Sequence, residues 1–155
     1  AQENGDKDGV AARQSARADF IFKNVQTRVE RYPNDLALRY EYGVLLRERQ
    51  QLNEAIQQLQ LAQRHPKHRL HAVYNMALCF KQKNQLDMAR EQFEKAAAEL
   101  TEMNDLKKDI YYQLGAILEA QGQAAEAVNL YYKEIYQQDI AYRDVAAKVE
   151  NTSGV

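Results

Sequence analysis

The sequence predicts an all-α chain, a right-handed α-solenoid of stacked antiparallel helix pairs with about three repeats and an extra helix at each end. Three observations predict it. The first is the run Val73, Met76, Ala77, Phe80 followed by Ala89, Phe93, Ala96. It reads as large, large, small, aromatic on one helix and small, aromatic, small on the next. The small residues let two antiparallel helices approach closely, and the two phenylalanines fill the space that remains. The second observation is a period. A shift of 34 residues towards the amino end lands on Tyr42, Gly43, Leu46, Ala55, Leu59 and Ala62. A shift of 38 towards the carboxy end, the same period with a four-residue insertion, lands on Leu114, Gly115, Leu118, Ala127 and Tyr131. The third is composition: 45% apolar and 28% charged residues, with two prolines, six glycines and no tryptophan among 155 residues. That balance suits packed helices in one elongated domain. A single helix pair of this kind leaves apolar faces on both sides, so it requires stacked neighbours.

Taken in order, residues 1–12 are polar, with Asn4-Gly5 and Asp8-Gly9, and are expected to be linker or disordered. The repeat domain is expected over 13–150. Within 13–32, Phe20, Ile21, Val25 and Val29 recur at helical spacing up to Tyr32-Pro33, where proline disfavours continuation. This helix has the character of the second member of a pair whose first member is missing, which leaves an apolar edge. Repeat one spans 34–66, opening on Asn34-Asp35 as a cap, turning over Gln50 to Asn53 and ending before Pro66. Repeat two spans 68–103, turning at Lys83-Asn84 with Asp87 as the next cap. The four-residue insertion is expected to lengthen its second helix past Leu100 by about one turn, keeping the buried face in register. Repeat three spans 104–137, opens on Asn104-Asp105 and turns at Gly122. It departs from the pattern at Glu134, where the earlier repeats carry Ala62 and Ala96. A capping helix is expected over 139–150, with Ile140, Tyr142, Val145, Ala146 and Val149 on one side and Arg143, Asp144, Lys148 and Glu150 on the other. The tail 151–155 is expected to fray.

From about Phe20 to Val149 the chain resembles bacterial multi-repeat tetratricopeptide (TPR) proteins, and more closely the carboxy-terminal segment of a longer protein of that kind. Besides the repeat positions, three stretches carry the resemblance: Arg28-Val29-Glu30-Arg31-Tyr32-Pro33, Ala62-Gln63-Arg64-His65-Pro66-Lys67 and Asp139-Ile140-Ala141-Tyr142-Arg143-Asp144-Val145. The resemblance implies an interaction scaffold and brings no catalytic residues, since the matching positions are packing positions. No cofactor is expected.

Charge and chemistry narrow the function classes. With 21 basic and 22 acidic side chains the chain has no electrostatic footprint for a phosphate backbone, and nucleic acid is not an expected partner. No nucleophile–base pairing, Gly-rich phosphate loop or spaced ligand set points to an enzyme. The single cysteine, Cys79, excludes an internal disulfide and is expected to pack. No apolar run approaches the roughly 20 residues that a membrane span requires. A start at Ala1-Gln2 without methionine is expected of a cleaved chain or a fragment. The compartment stays open, with the cytoplasm slightly favoured and export or anchoring of a longer parent allowed.

The candidate binding residues follow from the repeat. In a solenoid the first helices line a concave groove. Three residues before Gly43, Ala77 and Gly115 stand Tyr40, Tyr74 and Tyr112. Their groove neighbours are Val44 and Arg47, then His71, Asn75, Leu78 and Lys81, then Gln113 and Ala116, with Ala37, Glu41, Asp109 and Glu119 beside them. Tyrosine offers a flat apolar face, a hydroxyl and little side-chain entropy to lose, which suits a ladder that takes up a protein or peptide segment. The same tyrosines equally suit bracing of adjacent helices, and both readings stand at this point. TPR domains that clamp a terminal carboxylate use lysines and asparagines at set groove positions. Tyr40, Val44, Asp109 and Gln113 stand where four of these are wanted and only Asn75 matches, so that ligand is excluded. His65, His68 and His71 are the only metal-ligand candidates. Pro66 interrupts them, and the alternative is a solvated turn made basic by Arg64, Lys67 and Arg69. The expected function is protein binding in the groove. The alternative is a self-associating element that pairs through its amino-terminal edge.

Overall fold

The computed structural model describes residues 2–153, with side chains over 6–151. Every element among them is helical. The chain forms two compact units, residues 1–69 and 70–155.

The first unit is built on α1 (Gln2–Arg31), α2 (Leu36–Glu48) and α3 (Leu52–Ala62). Helix α1 corrects the expectation of a linker over 1–12, because it is helical from Gln2; Ala1 lies outside the described residues. No proline stands before Pro33, so helix propagates outward from the packed turns, where adding a residue costs far less than nucleation. Only the carboxy-terminal part of α1 is packed, through Val25 and Val29. Phe22 tilts against Tyr42 at 5.7 Å, and Gln26 Nε2 donates to the Tyr42 hydroxyl at 3.1 Å. Asp35 caps α2 by accepting from Leu38 N at 3.1 Å. Gly43 is required where α2 meets α3, since a Cβ there would sit 2.7 Å from Leu59 Cγ.

The second unit carries α4 (Arg69–Gln82), α5 (Leu86–Ala98), α6 (Asp105–Ala120) and α7 (Ala124–Ala127). A π-helical turn, Val128–Tyr132, joins α7 to α8 (Lys133–Gln138) without a break, and α9 is Val145–Ser153. Helix α5 stops at Ala98, short of Leu100. The connections 63–68 and 99–104 are equally long, so the four added residues are shared between the end of α5, which runs two residues past Ala96 where α3 ends on Ala62, and the start of α6, which begins ten residues before Gly115 where α4 begins eight before Ala77. The helix-to-helix turns are alike in both units. Gln50, Asn84 and Gly122 take left-handed backbone at φ 63°, 60° and 79°. Each turn closes with the following amide reaching back to a buried residue, Gln51 to Leu46, Gln85 to Phe80 and Gln123 to Leu118. The cap expected at Asp87 is instead Gln85, as Gln51 is for α3, neither with a side-chain bond, and Asp87 lies in the first turn of α5.

The π turn revises the third repeat. It inserts one residue, so the buried sequel to Ala127 is Tyr132 and Ile135, both fully buried, in place of the expected Tyr131 and Glu134. Glu134 is exposed, which removes the apparent departure from the pattern. Gly115 confirms the register: a Cβ there would meet the Tyr132 ring at 2.5 Å, as Gly43 meets Leu59.

Candidate functional site

The first helices place the tyrosine series in three different settings. Tyr40 of α2 is stacked on His68, with centroids 5.0 Å apart and planes 8° apart. Together with Ala37, Glu41, Val44, Leu45 and His68 it lines a surface concavity of about 400 Å³. Arg47 is half-buried one turn further along. Tyr74 of α4 leans on Phe93 of its own repeat at 5.7 Å. Tyr112 of α6 leans on Tyr132 in the same way at 5.7 Å. Bracing within a repeat is therefore part of what Tyr74 and Tyr112 do, and each ring keeps partial exposure.

The α6 face is covered by the chain itself. Residues 139–144 form an irregular turn before α9, which corrects the expected helix start at 139. The Asp139 carboxylate accepts from Ala141 N at 3.2 Å, offering the backbone a local alternative to helix, and Arg143 adopts φ 41°. That turn lays Tyr142, Arg143 and Asp144 on α6. The Tyr112 hydroxyl donates to Asp144 Oδ1 at 2.8 Å, and the Tyr142 hydroxyl donates to Asp109 Oδ1. The Arg143 guanidinium lies 4.6 Å from the Tyr112 ring centroid. Lys108 reaches Asp139 at 3.2 Å, and Lys148 reaches both Glu119 oxygens at 2.9 and 3.1 Å. Burial first, and then the hydrogen bond to Asp144, raise the ionisation of Tyr112 above the usual tyrosine range. Burial and the Asp109 bond do the same for Tyr142.

The remaining groove candidates divide. His71 is exposed, while Leu78 and Ala116 are half-buried. Asn75 is buried and donates to the His71 carbonyl at 2.8 Å, so it serves its own helix and is not a surface residue. Lys81 donates to Gln113 Oε1 at 2.6 Å, which ties α4 to α6. Burial, with Arg143 nearby, lowers the Lys81 pKa. Of the histidines, His65 accepts from Lys67 N at 3.2 Å through Nδ1 and lies 4.8 Å from the His68 ring. Among the described residues no group of three or more His, Cys, Asp or Glu side chains is placed to hold a metal ion. No described helix is long and apolar enough to cross a membrane. Sequence reasoning missed the covering of α6. The signal was present in the acids Asp109 and Glu119 on that face and the complementary Arg143 and Lys148 beyond it.

With this geometry in place, comparison with solved structures decides the fold. The crystal structure of MamA superposes at a TM-score of 0.71, with 17% identity over 88% of this chain and 77% of that one. The TPR-like repeats of a kinesin light chain from Podosopora anserina superpose at 0.66, with 20% identity over 84% and 71% of the two chains. This is the fold of a TPR-type helical repeat protein. In sequence, no family model and no curated protein matches the chain. The positions that agree between the repeats here are those of the core: Gly43 faces Leu59, Gly115 faces Tyr132, and Ala77 and Phe93 are fully buried at the matching places.

Proposed function

We propose that this TPR-type chain is a non-enzymatic protein-binding scaffold that takes up a peptide or protein segment on the first-helix faces of its repeats. One observation carries the reading: the α6 face already holds a non-helical turn of the chain, residues 139–144, through the same repeat tyrosine that recurs as Tyr40 and Tyr74. The fold supports it, because TPR-type repeats are general protein-interaction scaffolds and their matching positions serve packing, not catalysis. The α2 and α4 faces, with Tyr40, Val44, Arg47, His71, Tyr74, Leu78 and Lys81, are the surfaces for an external partner. Tyr112, Gln113 and Ala116 belong to the face that the chain covers itself.

The test is calorimetric titration of a partner recovered by affinity capture. Tyr74→Ala and Tyr40→Ala are expected to weaken binding by about 1 kcal/mol or more each, as interface aromatics do. Gln60→Ala, exposed on α3, serves as the outer-face control and is expected to change nothing. Unchanged affinity in both tyrosine variants would overturn the reading. A second reading, self-association, is favoured by one observation: Val10, Phe20 and Ile21 are exposed apolar side chains on α1, with Phe20 71% accessible.

A further inference from the structure

Two cations meet on the covered face of α6, and the acids there are engaged elsewhere. Asp109 and Gln113 stand one turn apart on α6, about 6 Å from each other on one face. Lys81 comes to Gln113 from α4, with Nζ 2.6 Å from Oε1, and Arg143 comes to Asp109 from the capping turn, with a guanidinium nitrogen 3.8 Å from Oδ1. Neither charge is matched. Gln113 is a neutral amide and engages one of the three ammonium protons of Lys81. The Asp109 oxygen nearest Arg143 already accepts the Tyr142 hydroxyl, and 3.8 Å is beyond hydrogen-bond reach, so the guanidinium donors of Arg143 meet no acceptor among the described residues. Asp144 accepts from the Tyr112 hydroxyl and Glu119 holds Lys148. Burial first, and then the Arg143 charge, lowers the Lys81 pKa, as the approach of an uncompensated like charge requires.

Arg143 is also the residue that its backbone suits least. It stands in a tight turn closed by Val145 N donating to the Tyr142 carbonyl at 3.2 Å, at φ 41°, a left-handed conformation that glycine takes freely and other residues do not. Gln50, Asn84 and Gly122 take such a conformation just past a helix end, and Arg143 does not follow one. What its side chain does there is lay an exposed guanidinium 4.6 Å from the Tyr112 ring centroid and 5.4 Å from that of Tyr142.

We propose that Lys81 and Arg143 together seat one side-chain carboxylate, from an aspartate or glutamate of the partner segment, beside the Tyr112 and Tyr142 rings. This rests on the scaffold reading above and names the partner chemistry for its α4 face. A carboxylate suits the pair because one oxygen can take the ammonium while the other meets the planar guanidinium. A nucleic acid does not, since it needs several cations in line and Asp109, Asp144 and Glu119 surround these two.

The test applies the labelled full chain to an array of random 12-residue peptides with amidated carboxy termini, so that aspartate and glutamate side chains are the only carboxylates. Bound peptides are expected to be enriched in acid, and replacing that acid by its amide is expected to weaken binding roughly fivefold, the scale of one exposed charge pair. High salt should shrink the difference. Arg143→Gly is expected to abolish the acid preference while raising the thermal midpoint, because the left-handed backbone is relieved. A lowered midpoint would make the Tyr112 contact the purpose of Arg143 and overturn the proposal. Lys81→Glu combined with Arg143→Glu is expected to select basic peptides instead, a gain that a folding defect does not imitate. The proposal is also overturned if no peptide binds, if the acid preference survives Arg143→Gly, or if a 12-nucleotide single strand binds as tightly as the acidic peptides. Peptides that bind without acid preference and still lose affinity in Tyr74→Ala overturn this proposal alone. The scaffold reading falls as well only if a captured partner ignores both Tyr40→Ala and Tyr74→Ala.

Discussion

At the scale of single residues, the fold depends on a few positions where the absence of a side chain is the functional feature. Gly43 and Gly115 occupy one repeat position, yet they face different neighbours. A Cβ at 43 would meet the branched end of Leu59, which has rotamers to yield, whereas a Cβ at 115 would meet the rigid Tyr132 ring at 2.5 and 2.6 Å. Gly115→Ala is therefore expected to lower stability by about 2–3 kcal/mol and Gly43→Ala by about 1 kcal/mol, measured by chemical denaturation. Adding Tyr132→Leu to Gly115→Ala should recover part of the loss, and a double-mutant cycle with no coupling would show that the two residues are not in contact. The turn residues offer the opposite kind of change. Gln50 holds φ 63° at the position that Gly122 fills in the third repeat, and a non-glycine left-handed residue costs roughly 1 kcal/mol. Gln50→Gly is expected to raise the thermal midpoint by a few degrees. Both glycines were legible in the sequence as small positions in the period. The difference between them was not, because it depends on which ring the partner helix presents.

At the scale of elements, the period revealed the helix pairs, and two of the boundaries it misplaced have a local reason. Linear spacing assumes constant residues per turn, and the π turn at Val128–Tyr132 breaks that assumption by one residue. The clue lay in Glu134 at a small apolar position, with Tyr132 and Ile135 each one residue further along. Deleting Leu130, which is exposed within that turn, should restore the spacing of Ala89, Phe93 and Ala96 while keeping Ala127, Tyr132 and Ile135 on the buried face. A cooperative unfolding transition within a few degrees of the parent is expected; collapse of the fold would mean that the π turn itself is required. The second misplaced boundary is the cap. Amphipathic patterning continued through 139–144, yet Ile140 is exposed there and only Asp139 and Tyr142 are half-buried, so the pattern was followed where no helix face is packed. What patterning does not encode is that Tyr142 and Asp144 are exchanged with Asp109 and Tyr112 across two elements. That exchange predicts a pH dependence. Raised tyrosine ionisation means that the neutral hydroxyls stabilise the folded state below the ordinary value near 10, and that this contribution is lost as pH rises beyond it. Tyr142→Phe is expected to cost about 1 kcal/mol at pH 7 by removing one hydrogen bond, and to flatten the loss of stability above about pH 10. Melting curves from pH 7 to 11 check both parts, and an unchanged alkaline slope in Tyr142→Phe would remove the tyrosine from that transition.

At the scale of the whole molecule, a net charge of −1 matters as much as any contact, because copies that approach one another meet little mutual repulsion. The surface they present includes an incompletely covered helix. On α1, Val25 and Val29 are buried, while Val10, Phe20 and Ile21 remain exposed, and Phe20 borders a concavity with Phe22 and Arg49. The sequence already showed Phe20 and Ile21 beside Val25 and Val29 at helical spacing. It did not show that the helix would continue to Gln2 and carry Val10 into solvent. Self-association through this face is expected to be concentration-dependent and hydrophobic in character, so sulfate should strengthen it where an ion-paired interface would weaken. Light scattering across a hundredfold range of concentration is expected to show a rising mean mass for the parent chain. Phe20→Glu, which places a charge on the exposed face without touching Val25 or Val29, is expected to hold the mass at that of the monomer. If the parent chain stays monomeric throughout, or if Phe20→Glu associates as the parent does, self-association through α1 is lost and protein binding on the first-helix faces is the reading that remains.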